Sequence, residues 1–348
     1  MKIILKQPRG LSLIELLVAM TITMILLGGI YQVFISSTNA YSRNESLSRV
    51  QENGRFAMHV IREAVVGAGF LGCSQEPANY TSILSDEDDY HINYAVPIQG
   101  LEWVPDNPGT ADELIDGAWE DDGGVVDPAT IDEFNLTDPL TGSDILTVRH
   151  VITGQAFDLS ADMGGPSANI STEDDLGLQD DQLMLIADCE ASTLFRVDHY
   201  DDATGVVNPD GDLSKAYAEG AQLYLPRTSS FYIRTNSAGE PALYRRVTDA
   251  ADPEELVEGV ENMQVRYGVD TDGDRAADDY DAANDVSDWT DVVSVRIGLL
   301  LRSPNDMTHA EFNNSTYRVD DTDIDAPGDD RRFRMVMSTT IGLRNRLR

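Results

Sequence analysis

The chain has 348 residues, 41% of them hydrophobic, which is enough for one large or two small packed domains and rules out a disulfide-stapled miniprotein. Its 61 acidic residues against 25 basic give a formal charge of −36. Such a surface repels nucleic acid and anionic lipid headgroups and favours basic partners. Two cysteines and five scattered histidines cannot assemble a four-ligand zinc site. Cys73 and Cys189 are either one disulfide closing a long loop or two separate buried thiols.

Residues 1–10 form a basic leader carrying Lys2, Lys6 and Arg9 and no acid. The apolar run from Leu16 to Ile35 follows almost at once. At ~1.5 Å per residue it is long enough to cross a ~30 Å hydrocarbon core, with the positive flank in the cytoplasm and everything after Ile35 outside. A secretory signal peptide would place a small-residue cleavage site beyond the apolar stretch, and a plain anchor would stay uncut. Neither accounts for Glu15, a carboxylate at the start of the span. Unpaired in lipid it would be costly, so it must be protonated, reach the interface or pair with a cation.

The run Gly10-Leu11-Ser12-Leu13-Ile14-Glu15-Leu16-Leu17 resembles the signal of type IV prepilins and pseudopilins, whose leader ends in Gly and whose fifth mature residue is Glu. The resemblance implies cleavage between Gly10 and Leu11 by prepilin peptidase and methylation of the new Leu11 amine. It also implies that Glu15 pairs with such an amine on a neighbouring subunit. Leu11 stands where the family usually has Phe.

Residues 11–36 are therefore expected to form a transmembrane anchor helix. Leu47, Val50, Gly54, Ala57, Ile61 and Ala64 recur at alternating three- and four-residue spacing and predict that the helix continues outside the membrane over 37–66. Gly28-Gly29 costs about 1 kcal/mol per glycine relative to Ala and marks a place for a bend. Gly67, Gly69 and Gly72 predict the helix stop. The segment from Gln51-Glu52-Asn53-Gly54-Arg55-Phe56-Ala57 through Ile61-Arg62-Glu63-Ala64 to Gly69-Phe70-Leu71-Gly72-Cys73 resembles the PilW family of minor pilins. So do Asp188-Cys189-Glu190 with Leu194-Phe195-Arg196-Val197, the Asp270 region and the ending Leu343-Arg344-Asn345-Arg346.

The rest, 67–348, reads as a β-rich soluble domain that opens with an acidic, loop-rich region over 76–143 holding a few short elements. Strand-like runs follow at 145–151, 182–187, 193–197, 221–225 and 231–234. The clearest is Val293, Val295, Ile297, Leu299 and Leu301 alternating with Ser294, Arg296, Gly298 and Leu300. The expected fold class is α+β: a long N-terminal transmembrane and stalk helix followed by a mainly antiparallel β periplasmic domain of pilin-like type with large loop insertions.

Asp270, Asp272, Asp274, Asp278 and Asp281 fall at the first, third, fifth, ninth and twelfth positions of an EF-hand-like loop and are a candidate Ca²⁺ set. Arg275 takes the turn position of the usual glycine, and the last ligand is Asp instead of Glu, so a solvated acidic hairpin is the competing reading. No cofactor is otherwise required. Arg331, Arg332, Arg334, Arg344, Arg346 and Arg348 reverse the charge of the C-terminus. With Phe333, Met335, Met337, Thr339, Ile341 and Leu343 alternating there, a last strand whose arginines pair with the protein's own carboxylates is expected. His59, His91, His150, His199 and His309 show no catalytic or metal-ligand spacing, and Trp103, Trp119 and Trp289 are expected in the core.

The resemblance implies a non-enzymatic minor pilin that sits in the inner membrane with its N-terminus in the cytoplasm, then enters the pilus fibre near its tip and supports adhesion and twitching motility. Its implied partners are other minor pilins, the major pilin, the inner-membrane assembly platform, prepilin peptidase and a tip adhesin. The alternative is a GspJ-like minor pseudopilin of a type II secretion system.

Overall fold

The structure is a computed structural model that describes residues 12–73, 77–87, 89–106, 117–121, 123–126, 136–172, 176–248, 250, 252–306 and 312–346. It begins with one helix, α1 (Leu13–Gly67), of 55 residues. Among the described residues, strands follow in the order β1 (Tyr80–Ser82), β2 (Ile98–Pro105), β3 (Gly117–Asp121), β4 (Gly124–Val126), β5 (Ile145–Asp158) and β6 (Ile170–Ser171). Next come β7 (Leu183–Ala187), β8 (Ser192–Asp201), β9 (Val206–Pro209), β10 (Gln222–Thr235), β11 (Pro241–Val247) and β12 (Glu254–Glu258). The chain closes with β13 (Val260–Val269), β14 (Asp279–Asp281), β15 (Val292–Arg302), β16 (Thr316–Val319), β17 (Thr322–Asp325) and β18 (Arg334–Gly342).

The strands form a large sheet in the order β4-β3-β2-β5-β10-β7-β8-β9-β6, with β11 and β12 continuing from β10 and β1 on β8. A second sheet runs β14-β13-β15-β18, and β16-β17 is a separate hairpin. Every pairing is antiparallel except β1 on β8, so the fold is α+β with the long helix leading into an antiparallel domain.

α1 stays helical through Gly28-Gly29 and ends one residue beyond the expected stop, where Gly69 (φ +67°) and Gly72 (φ +92°) take backbone conformations that side chains disfavour. Its C-terminal half buries Val50, Gly54, Ala57, Ile61 and Ala64 of the predicted stripe, together with Val65, against β5, β12, β15 and β18, while Leu47 is only half-buried. These residues share one core with Met263, Val265, Leu299, Leu301 and Ile341. Asn53 donates to the Glu258 carbonyl (3.0 Å) and Asn345 to that of Ala68 (2.9 Å), fixing the helix at both ends of this contact.

Among the described residues, four strands interrupt the acidic 76–143 region. β2 belongs to the core, because Ile98, Gly100, Leu101, Glu102 and Trp103 are all buried and no alternation is left to read. Trp103 packs edge-on to Trp119 at 4.8 Å, and Trp289 packs on Tyr267 at 4.7 Å, so all three tryptophans lie in the core. The runs at 221–225 and 231–234 are one strand, β10, crossing Pro226 at a β5–β10 irregularity, where the missing N–H costs no ladder bond.

Buried charge joins these layers. Asp144, 2% exposed, accepts from the Trp103 amide (3.0 Å) in the first sheet and the Val265 amide (2.9 Å) in the second. Burial and the nearby Glu102 push its carboxyl well above the usual range. Glu102 accepts two bonds of 2.9 Å from Arg266. Arg149, 1% exposed, donates to the carbonyls of Tyr90 (3.0 Å) and Val96 (2.7 Å) and to Gln99 (3.1 Å), pinning the segment before β2.

Of the six C-terminal arginines expected to pair internally, Arg332 and Arg334 do so, while Arg331, Arg344 and Arg346 make no ion pair among the described residues and Arg348 lies outside them. Glu240, in the β10–β11 turn, accepts from Arg302 (2.6 Å) and Arg332 (2.7 Å). Glu261 accepts from Arg302 (3.1 Å) and Arg334 (2.6 Å), and Asp330 also pairs with Arg334 (2.6 Å). The Arg332 and Arg302 guanidiniums hold the Glu240 carboxyl down to about 2, against an ordinary 4.5. A depressed carboxyl contributes stability that is present above its unfolded value and lost as pH falls through its folded one. Glu240→Gln is therefore expected to lower the melting temperature at neutral pH, with the gap to wild type closing as pH drops from 4.5 to about 2. Thermal melts across that window check it, and a gap independent of pH would refute the ion-pair assignment.

Candidate functional site

The first half of α1 has the composition of a bilayer-facing surface. An 18-residue window reaches a mean hydropathy of 2.3 with none of it buried, and Leu13, Leu16, Leu17, Ile25, Leu26, Ile30 and Phe34 are all exposed. Thr21 and Thr23 return their hydroxyls to the carbonyls of Leu17 (2.8 Å) and Ala19 (2.7 Å), so neither hydroxyl is left unmet on that surface. Glu15 is the only charged residue between Ser12 and Arg43.

Ser12 is the N-cap and Glu15 the third helical residue, a capping box. The Glu15 carboxylate accepts from the Ser12 amide (2.9 Å) and hydroxyl (3.0 Å), while the Glu15 amide donates to the Ser12 hydroxyl (3.3 Å). A single chain thus keeps this anion bonded at the positive end of its own helix. Pairing with a neighbour's amine would exchange two hydrogen bonds for a charge-assisted one. Gly10 and Leu11, the expected processing pair, lie outside the described residues.

At the other end of α1 the cysteines form a disulfide across 116 residues, with Cα atoms 4.5 Å apart. It ties the helix exit to the β7–β8 turn, where Lys215 bonds Asp188 (2.9 Å) and Glu190 (2.5 Å) on either side of Cys189. Gly72 is required beside it, because a Cβ there would collide with the Ala187 side chain.

Of the five candidate calcium ligands, the structure brings together Asp270, Asp272 and Asp278, whose ligand atoms lie within 4.8 Å of one another. Asp270 accepts from the amides of Gly273 (2.8 Å) and Arg275 (2.7 Å), and Asp278 from Thr271. Arg275, at the sixth position, has φ +70°, the conformation that a glycine supplies in an EF-hand loop. Asp274 caps the Ala276 amide (2.8 Å), and Asp281 sits on β14 opposite Tyr267, so neither joins the group. His309 and Arg348 lie outside the described residues. His59, by contrast, shares a cleft of about 700 Å³ with Arg62, Phe70, Tyr224 and Arg344. Spacing in the sequence gave no sign of that cleft, since its residues come from α1, β5, β10 and the C-terminus.

Residues 5–31 match the prokaryotic N-terminal methylation motif, and residues 230–345 match the model of type IV pilus-assembly protein W. No curated protein matches the chain. The signal match and the exposed apolar helix support membrane anchoring, and the two matches make the chain similar to type IV pilins that carry a prepilin signal. Within that class the chain is PilW-like. The second match starts in β10 and ends just after β18, so it takes in the sheet on which α1 docks and the Asp270 loop. It does not include the Gln51–Cys73 or Asp188–Val197 segments.

Replacing both Cys73 and Cys189 with Ser is expected to destabilise the domain by about 3–5 kcal/mol in the chain-entropy model. Denaturant unfolding of the full chain in detergent measures this, and an unchanged midpoint would show that the bond does not constrain the fold.

Proposed function

We propose that the chain is a minor pilin that enters the type IV pilus at or near its tip and supports pilus-dependent adhesion and twitching motility. The observation that carries the reading is α1, a single helix whose first half is wholly exposed and apolar and whose second half is built into a PilW-type domain. On this reading prepilin peptidase cuts between Gly10 and Leu11 at the cytoplasmic face and the Leu11 amine is methylated. The domain lies in the periplasm, and Glu15 exchanges its bonds to Ser12 for a neighbouring subunit's amine. Prepilin peptidase, the assembly platform, the major pilin, other minor pilins and a tip adhesin are the partners.

Two measurements test this. Deletion is expected to remove surface pili. Intact pili with blocked exoprotein secretion would instead support a GspJ-like pseudopilin. Mass spectrometry of the mature chain is expected to begin at methylated Leu11, and an intact Met1 would refute processing.

A second reading concerns the Asp270 loop, where the converging carboxylates and the left-handed Arg275 favour a Ca²⁺ ion held by Asp270, Asp272 and Asp278. Calorimetry on the full chain in detergent is expected to give a binding heat at millimolar Ca²⁺ that Asp270→Asn removes. No heat and no melting shift would end this reading.

A further inference from the structure

The second sheet ends in β18, which among the described residues has no strand on its outer side. The Leu343 amide donates to Val293 (2.8 Å), the Phe333 carbonyl accepts from Ser303 (2.8 Å), and the β15–β18 register between them runs without a shift. In an antiparallel pair, successive residues turn their backbone groups to opposite sides. Odd-numbered residues therefore bond β15, and Arg334, Val336, Ser338, Thr340 and Gly342 turn N–H and C=O outward. Among the described residues none of these outward backbone groups has a hydrogen-bond partner.

Outer strands are normally protected by charge, brevity or bulges. β12 carries Glu254, Glu255 and Glu258, and β14 is three residues long with Asp279 and Asp281. β18 has nine residues, no bulge and no charged side chain after Arg334. Its large apolar side chains are engaged: Met335, Met337 and Ile341 pack in the core under α1, and Val336 packs with Val319 and Ile324 of the β16–β17 hairpin, while the small polar Ser338 and Thr340 are exposed. The backbone edge is open, and its complement is another extended strand.

Charge selects whose strand it is. A second copy at −36 is repelled. At the C-terminal end of the edge, Arg344 and Arg62 are exposed, line the same cleft and make no ion pair among the described residues. This contrasts with Arg302, Arg332 and Arg334, which are all paired.

We propose that the free edge of β18 receives an extended segment of a different protein as the sheet's fifth strand, with acidic residues where that segment passes Arg344 and Arg62. The inference needs only the open edge and stands whether or not deletion removes pili.

The test is photocross-linking in cells with p-benzoylphenylalanine in place of Thr340 in the full chain. Ser338→Pro removes one outward N–H and spares the β15 ladder. Arg62→Glu with Arg344→Glu reverses the flanking charge and leaves the edge intact. The expected result is a cross-link, mapped by mass spectrometry, to one segment of a different protein, weakened about fivefold or more by either change. Melting of each purified variant should match wild type. If Ser338→Pro lowers the melt, the charge reversal alone decides. A cross-link to a second copy, no cross-link, or one that survives charge reversal would overturn the proposal.

Discussion

The structure depends on the close approach of α1 to the second sheet at Gly54. A Cβ there would meet the Met337 sulfur and lie 3.2 Å from both Leu301 methyls, so a glycine lets the helix settle at this depth without displacing those side chains. Val50, Ala57 and Ile61, one turn or more away on the same face, then reach the side chains of β13, β15 and β18 and close the largest core. Because the helix is unbroken from Leu13, the depth and tilt of this contact also set the direction in which the exposed apolar half leaves the domain. One packing contact therefore joins the β domain to the exposed apolar half of the helix.

A chain of charge −36 must also keep its acids from prising the domain apart. It does so by placing arginines at the junctions between sheets. Glu102 and Arg266 sit where β2 crosses β13, and Glu240, Glu261 and Asp330 surround Arg302, Arg332 and Arg334 where the β10–β11 turn meets β15 and β18. Removing one member would strand its partner in a poorly solvated place, which is costlier than losing an exposed pair. The remaining acids lie mostly on loops and strand ends, where water screens them.

Features with a short period were legible in the sequence. The stripe from Val50 to Ala64 names its buried face directly, the alternation in β15 and β18 marks both as strands although β15 is buried on both faces, and Glu15 stands out because it is alone in an apolar run. β2 is buried on both faces and loses its alternation, while Pro226 divides β10 into two apparent strands. Arg149 and Asp144 were invisible for a different reason. Their partners lie between 41 and 121 residues away or are backbone groups, and neither leaves a pattern in composition or spacing.

The same distinction explains which parts of the candidate sites could be read. The match to the N-terminal methylation motif falls on one contiguous stretch, residues 5–31, so it could be read without the fold. The Asp270 loop is also contiguous, yet only three of its five acids converge, because Asp281 is drawn into pairing with Tyr267 and Asp274 closes its own turn. A sheet edge is the opposite case. Its recognition groups are the backbone amides and carbonyls that every strand possesses, and what makes β18 available is the absence of a neighbour, which is a property of topology alone.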